Sequence, residues 1–255
     1  MSDPVMKIRL ANSIKDIPAI CKLNTQLRST KKQSQEANTN PDTVSSFDVR
    51  YLTADELDMA DREQIFALFE FNMKAHYMAT WGWNPVEKRN EIFHPMSRFL
   101  LVHPHEEAPQ PVTQTTEKGL SIVHDVHATT AGTVATLEAA AVKPQISQRR
   151  TIVGYTVFRF EWDDEEEPEH PVLYCYELQV SKTVQGHGVG RQIMSLLVQI
   201  ADKLKLWKVL LTCFTVNTRA LKFYRDIGFD TDVNSPIAHG LAADYEIMSN
   251  RPTLR

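Results

Sequence analysis

The segment from Val172 to Leu204, VLYCYELQVSKTVQGHGVGRQIMSLLVQIADKL, constrains the fold more than any other part of the chain. Val172 to Val180 is β-branched, aromatic and apolar and reads as a strand. Three glycines then fall within the six residues Gln185 to Gly190. Beyond them Ile193, Leu196, Leu197, Ile200, Ala201 and Leu204 recur at the spacing of one helix face. A glycine-rich turn entering a helix aims several backbone N–H groups at one point, where the helix dipole adds partial positive charge. Phosphate suits such a place, and glycine lets it approach the main chain. The same residues also serve a turn that only bends. The segment lacks the GK[ST] ending of a P-loop and does not follow G-x-G-x-x-G.

On either side of this unit the periodicity predicts further elements. Ser13 to Arg28 places Ile14, Ile17, Ile20, Cys21, Leu23 and Leu27 at near-helical intervals, and polar residues Ser29 to Ser45 read as a link. Thr53-Ala54-Asp55-Glu56 has capping-box residue types and opens a helical stretch to about Met78, with Ile65, Leu68, Phe69 and Met73 on its apolar face. WGWNP, ended by Pro85, leads to a short strand over Phe99 to Val102. From about 103 to 150 the pattern dissolves, which marks a mobile insertion between neighbouring strands; its ATLEAAAV piece suits a short helix. Thr151 to Trp162 and Val172 to Val180 form an antiparallel hairpin. Val209 to Phe214 is a strand, Thr218 to Ile227 a helix, and Tyr245 to Met248 a last strand. This order predicts an α/β fold.

Composition narrows the class. With 28 basic and 32 acidic residues the net charge is −4, so the chain is no polycation and direct nucleic-acid binding is not expected. Cys21, Cys175 and Cys213 are scattered without C-x-x-C spacing, which argues for a reducing, intracellular setting and against a disulfide framework or a metal cluster. No apolar run suggests a secretory signal or a membrane span.

Gln185, Gly188 and Gly190, after a strand and at a helix start, resemble the [Arg/Gln]-x-x-Gly-x-[Gly/Ala] pyrophosphate loop of the GNAT N-acetyltransferase superfamily. The following NTRALKFYRDIGF, Asn217 to Phe229, resembles that family's next segment. Asn72-Met73, Trp81-Gly82-Trp83, Phe158-Arg159-Phe160, LYCYE at 173–177 and Asn234-Ser235-Pro236 are similar to the NatD-type N-alpha-acetyltransferases, which modify the N-terminal serine of histone tails beginning Ser-Gly-Arg-Gly. The resemblance implies a GNAT fold, a mixed and mostly antiparallel sheet flanked by helices. It divides the chain into an N-terminal extension and linker over 1–46, an acetyltransferase domain over 47–250 and a tail over 251–255. It further implies acetyl-CoA as donor substrate without a metal, histone tails as substrate without an auxiliary subunit, and a place in cytoplasm and nucleus. The alternatives are a GNAT enzyme acting on lysines or small amines, and a non-catalytic module that binds acetyl-CoA or a histone tail.

The resemblance also assigns roles. An α-amino group has a pKa of about 7.7–8 and must lose one proton to attack the thioester. Glu177 is the implied general base, directly or through a water; its other reading is a strand carboxylate paired to a cation. Tyr176 positions substrate, Tyr174 either positions or packs, and Tyr224 either protonates the leaving thiolate or packs against the cofactor. In a regular strand Tyr174 and Tyr176 would share one face, with Cys175 and Glu177 on the other, although GNAT folds resemble one another in carrying a bulge here. Leu178, Gln179 and Val180 match the pantetheine contacts. Gln185, Gly186, His187, Gly188, Val189, Gly190 and Arg191 match the pyrophosphate contacts, with Asn217 nearby. Glu161 and Asp163, at the start of an acidic run of seven acids in nine residues, match contacts to the substrate's arginine, and Trp162 between them joins the implied substrate set. Tyr77, Trp81, Thr212, Tyr245 and one of Asn234 and Ser235 complete the implied substrate set, and Trp81 and Trp83 either wall the peptide site or pack.

Overall fold

The computed structural model describes residues 3–30, 46–105, 150–164 and 169–251. The ATLEAAAV helix, most of the link before residue 46, residues 165–168 of the acidic run and the end of the tail lie outside them. Among the described residues one eight-stranded sheet runs in the order β1 (Gln26–Arg28), β2 (Ser46–Thr53), β3 (Arg98–Pro104), β4 (Gly154–Trp162), β5 (Pro171–Val180), β6 (Val209–Phe214), β8 (Tyr245–Asn250) and β7 (Asp230–Thr231). All neighbours are antiparallel except β5 and β6, which are parallel and joined by the crossover helix α5 (Val189–Lys203). No helix of the described residues is long and apolar enough to cross a membrane.

Both faces of the sheet are covered. Leu100 and Val102 of β3 join a core with Ile193, Leu197 and Ile200 of α5, whereas Phe99 and Leu101 join a second core with Ile65 and Phe69 of α3 (Met59–Ala79). That two-sided burial is why β3 reads as an unbroken apolar run rather than an alternating one. The residues expected to form an insertion, about 103–150, fall between β3 and its antiparallel neighbour β4, where Val102 pairs with Gly154, and His103 and Pro104 still belong to β3.

The N-terminal segment departs from expectation. Instead of one helix over 13–28, the chain forms α1 (Pro4–Ser13), α2 (Ile17–Cys21) and β1. Asp16 caps α2 by accepting from Ala19 N–H, Pro18 has no N–H with which to continue a preceding helix, and Lys22 turns left-handed at φ 52°. Ala11, Ile17, Cys21 and Leu27 are buried in the same core as α5, and β1 pairs with β2. The capping box at Thr53 forms as read, but on a short 3-10 turn, Ala54–Glu56; Asp58 then caps α3. The loop read before Pro85 is followed by a helix the periodicity missed, α4 (Pro85–Ile92), capped by Asn84 with proline in its first turn. The sixth helix, α6 (Thr218–Asp226), opens with Asn217 as its cap.

Candidate active site

Two irregularities in the sheet create the site. Pairing between β5 and β6 ends at Cys175–Leu211, yet β5 runs on to Val180 and β6 to Phe214, so the two strands part. A cavity of about 260 Å³ opens in the wedge, lined by Cys175 to Gln179 from β5, Thr212 to Phe214 from β6 and Tyr224 from α6. On its other side β5 carries a bulge: Glu177 pairs with Val157 and Cys175 with Phe158, leaving Tyr176 as the extra residue. The regular alternation is therefore broken. Cys175 points into the α5 core, while the consecutive Tyr176 and Glu177 both face α3 and α4, beside Tyr174.

Glu177 is only 6% exposed and held from two directions. Gln179 Nε2 donates to its Oε2 at 2.8 Å, and Lys88 Nζ of α4 lies 3.6 Å from its Oε1. The amide of Gln179 is itself oriented by Asn72 of α3, whose Nδ2 donates to Gln179 Oε1 at 3.0 Å and also reaches the Val180 carbonyl. Burial raises the Glu177 carboxyl to about pKa 7, against the opposing pull of Lys88 and Gln179. A carboxylate at that value exchanges protons at neutral pH. Tyr224 also lines the cavity, and burial holds its phenol well above the usual value, so it stays protonated.

The glycine turn lies next to the end of β5. Gln185 Nε2 donates to the Val180 carbonyl at 3.0 Å, closing the turn onto the strand. Gly186 and Gly188 have φ of +84° and +81°, where a side chain is strained. A Cβ on Gly188 would stand 2.5 Å from Thr30 Oγ1, and one on Gly190 would stand 3.3 Å from Phe223, whereas nothing lies within 4 Å at Gly186. His187 is buried, its Nδ1 sharing a hydrogen bond with Ser29 and its carbonyl accepting from Thr30 N–H. Val189 is buried in the α5 core, and Arg191 is exposed, reaching the Asp226 carbonyl at the end of α6. Asn217 lines the cavity while its side chain caps α6.

The expected substrate residues separate into groups. Tyr77, Trp81, Tyr174, Tyr176 and Thr212 line the cavity. Trp81 is 54% exposed and sets its ring edge-on to Phe214 and Tyr245, at 4.7 and 5.6 Å between centroids. Trp83 instead stacks on Phe69 within the α3 core, so the first tryptophan walls the cavity and the second packs. Tyr174 hydroxyl meets Thr212 Oγ1 across the gap between β5 and β6.

The acidic pair does not act as one fork. Glu161 accepts from Tyr176 hydroxyl at 2.7 Å and lies 3.9 Å from Arg159, whose guanidinium stacks on the Tyr176 ring. Asp163 pairs with Lys208, a fully buried ammonium that Asp232 also binds. Trp162, between them, packs against the core shared with α5 and is not among the residues that line the cavity. Asn234 is exposed and reaches Asp163, whereas Ser235 is fully buried with its hydroxyl accepting from Ile247 N–H; of the two, only Asn234 is open to a substrate. Sequence reasoning passed over Lys88 and Glu91, and it named Arg159 only within a family-like segment, without a role. The Asn84-Pro85 helix start was the one signal for the first two.

Residues 123–229 match the Acetyltransferase (GNAT) family. Over 83 residues the chain is 35% identical to N-alpha-acetyltransferase 40 of Saccharomyces cerevisiae, a match covering 30% of this chain and 29% of that protein. The chain thus spans under a third of that relative's length. Among solved structures, Arabidopsis thaliana NAA60 in complex with a bisubstrate analogue aligns over 80% of this chain and 97% of its own, with TM-score 0.46 and 10% identity. The PaiA N-acetyltransferase of Thermoplasma acidophilum in complex with coenzyme A aligns over 80% and 98%, with TM-score 0.46 and 11% identity. The parted β5 and β6, the bulged strand and the glycine turn all lie within the residues that match the Acetyltransferase (GNAT) family.

Proposed function

We propose that the protein transfers the acetyl group of acetyl-CoA to the free N-terminal amine of a protein, with histone tails beginning Ser-Gly-Arg-Gly as substrate. The observation that carries the reading is Glu177, a buried carboxyl raised to about pKa 7 in the wedge between β5 and β6. The glycine turn and the N-terminus of α5 suit a pyrophosphate, through the amides from Gly186 to Arg191, and the free edge of β5 over Leu178 to Val180 suits an extended amide-bearing arm. The amine enters from the side of Tyr77, Trp81, Tyr174 and Thr212. Glu177 accepts its proton as the nitrogen attacks the thioester carbonyl, the C–N bond forms and the C–S bond breaks. The thiol leaves as a thiolate facing the protonated Tyr224, and Glu177 returns the proton to solvent.

The preference for an N-terminal amine and for arginine at the third position draws on the NatD-like segments and on the likeness to the yeast N-alpha-acetyltransferase. A substrate guanidinium would share Glu161 with Tyr176 and Arg159, and Asn234 would border it. The test is incubation with acetyl-CoA and three peptides: a free Ser-Gly-Arg-Gly terminus, the same terminus blocked, and a free Ser-Gly-Ala-Gly terminus. Mass spectrometry should place the acetyl group on the serine amine of the first, with a higher KM for the third. Acetylated lysine in the blocked peptide, with the free terminus untouched, would sink the assignment.

A further inference from the structure

Lys88 is a charge in a place where charges are rare. It is 7% exposed, carried by α4 on a helix start fixed by Asn84 and Pro85, and its ammonium reaches the cavity instead of solvent. Glu91 holds it at 2.7 Å, and the rings of Tyr77 and Phe69 flank it at 4.9 and 5.3 Å. Its remaining direction is toward Glu177 Oε1, 3.6 Å away. A role in stability alone would be met by Glu91, whose side chain is 36% exposed and could draw the ammonium outward. The aromatic flanks prevent that and keep the positive charge on the carboxylate.

We propose that Lys88 is a positioning residue for the base: its ammonium, clamped between Glu91 and the Tyr77 ring, fixes where the Glu177 carboxylate lies and keeps enough of it ionised at neutral pH to accept the amine proton. The proposal rests on Glu177 being the base. Every other group facing that carboxylate acts differently. Gln179 is neutral and orients the second oxygen; Glu91, also on α4, opposes ionisation. Tyr77 of α3, Tyr155 of β4 and Tyr224 of α6 are phenols, and Cys175 of β5 a thiol, all kept protonated by burial. Lys88 is thus the cation among these neighbours, and its pull, with the smaller contribution of the Gln179 hydrogen bond, offsets the desolvation of Glu177. An opposite charge within about 4–6 Å lowers a carboxyl by about 1–3 pH units, so its removal should move Glu177 up by that much.

The experiment follows the Glu177 carboxyl by ¹³C NMR across pH in the resting protein, with Glu177→Gln to assign the signal, in wild type, Lys88→Met and Lys88→Arg. The midpoint should rise by about 1–3 pH units in Lys88→Met and return close to wild type in Lys88→Arg. The acid limb of kcat/KM for the amine peptide should rise with it, so that Lys88→Met turnover falls at least tenfold at pH 7 and recovers toward pH 9. An unmoved midpoint in Lys88→Met overturns the proposal, as does a turnover loss that is equal at all pH values. Should Lys88→Met not fold, Lys88→Gln removes the charge, keeps a donor for Glu91 and carries the same expectation. The NMR midpoint needs no turnover, so a wild-type protein that acetylates no amine would refute the proposed function while the Lys88 proposal is still decided by titration.

Discussion

Replacing Glu177 with glutamine should remove most of the turnover and also flatten part of the pH dependence of stability. The substitution keeps the side chain's size beside Gln179 and Lys88 but removes the acceptor for the amine proton. A positioned general base contributes about 10²–10⁴-fold, so kcat should fall by that factor while acetyl-CoA binding is retained. The stability effect follows from the carboxyl titrating at about 7 in the folded protein, because burial penalises the anion, rather than at its ordinary 4.5. Between these values the native state holds a proton that the unfolded chain has released, so stability falls as pH rises. For this one group the loss from pH 5 to pH 8 is about 2.5 kcal/mol, or about 5–10 °C in Tm for a chain of this size. Glu177→Gln cannot titrate. Its Tm relative to wild type should therefore climb by that amount over the same range, read by scanning calorimetry without acetyl-CoA. A Tm difference that stays constant from pH 5 to pH 8 would show that the carboxyl does not titrate near neutrality, and an unchanged kcat would remove it as the base.

At the glycine turn, Gly188→Ala places a Cβ at positive φ and 2.5 Å from Thr30 Oγ1; it should cost about 1–2 kcal/mol and raise KM for acetyl-CoA more than for the peptide. Pairing it with Thr30→Gly should relieve the steric part, and a double variant no more stable than Gly188→Ala would argue against that contact. Lys208→Met strands Asp163 and Asp232 without their buried cation and should destabilise by about 3–5 kcal/mol in urea, with Asp232→Asn recovering much of the loss. Trp81→Ala, at the exposed wall, should raise peptide KM at under about 1 kcal/mol in stability, whereas Trp83→Ala, stacked on Phe69, should cost about 3 kcal/mol. Equal stability losses from the two tryptophans would contradict their separation into wall and core.

Much of this protein was legible in its sequence because the signals are local. The period of Ile193 to Leu204, the β-branched runs of β4, β5 and β6, and the glycines between strand and helix state their own conformations through spacing and φ preference. The N-terminal segment misled for a related reason: apolar residues at helical intervals satisfy a helix count even where Asp16 and Pro18 break the chain into two helices and a strand. What only the tertiary structure decided is how distant groups share one cavity. The bulge at Tyr176 cannot be seen in LYCYE, because it exists only against the register of Val157 and Phe158, and it is what turns Glu177 toward α4. The ionisation of Glu177 likewise depends on burial, on Lys88 some ninety positions earlier and on a glutamine oriented by Asn72. Likewise Glu161 and Asp163, two residues apart, are given different partners by Tyr176 on a neighbouring strand and by the buried Lys208. Local propensity fixes the elements; desolvation and charge pairing are properties of the assembled interior, and they settle which residues can do chemistry.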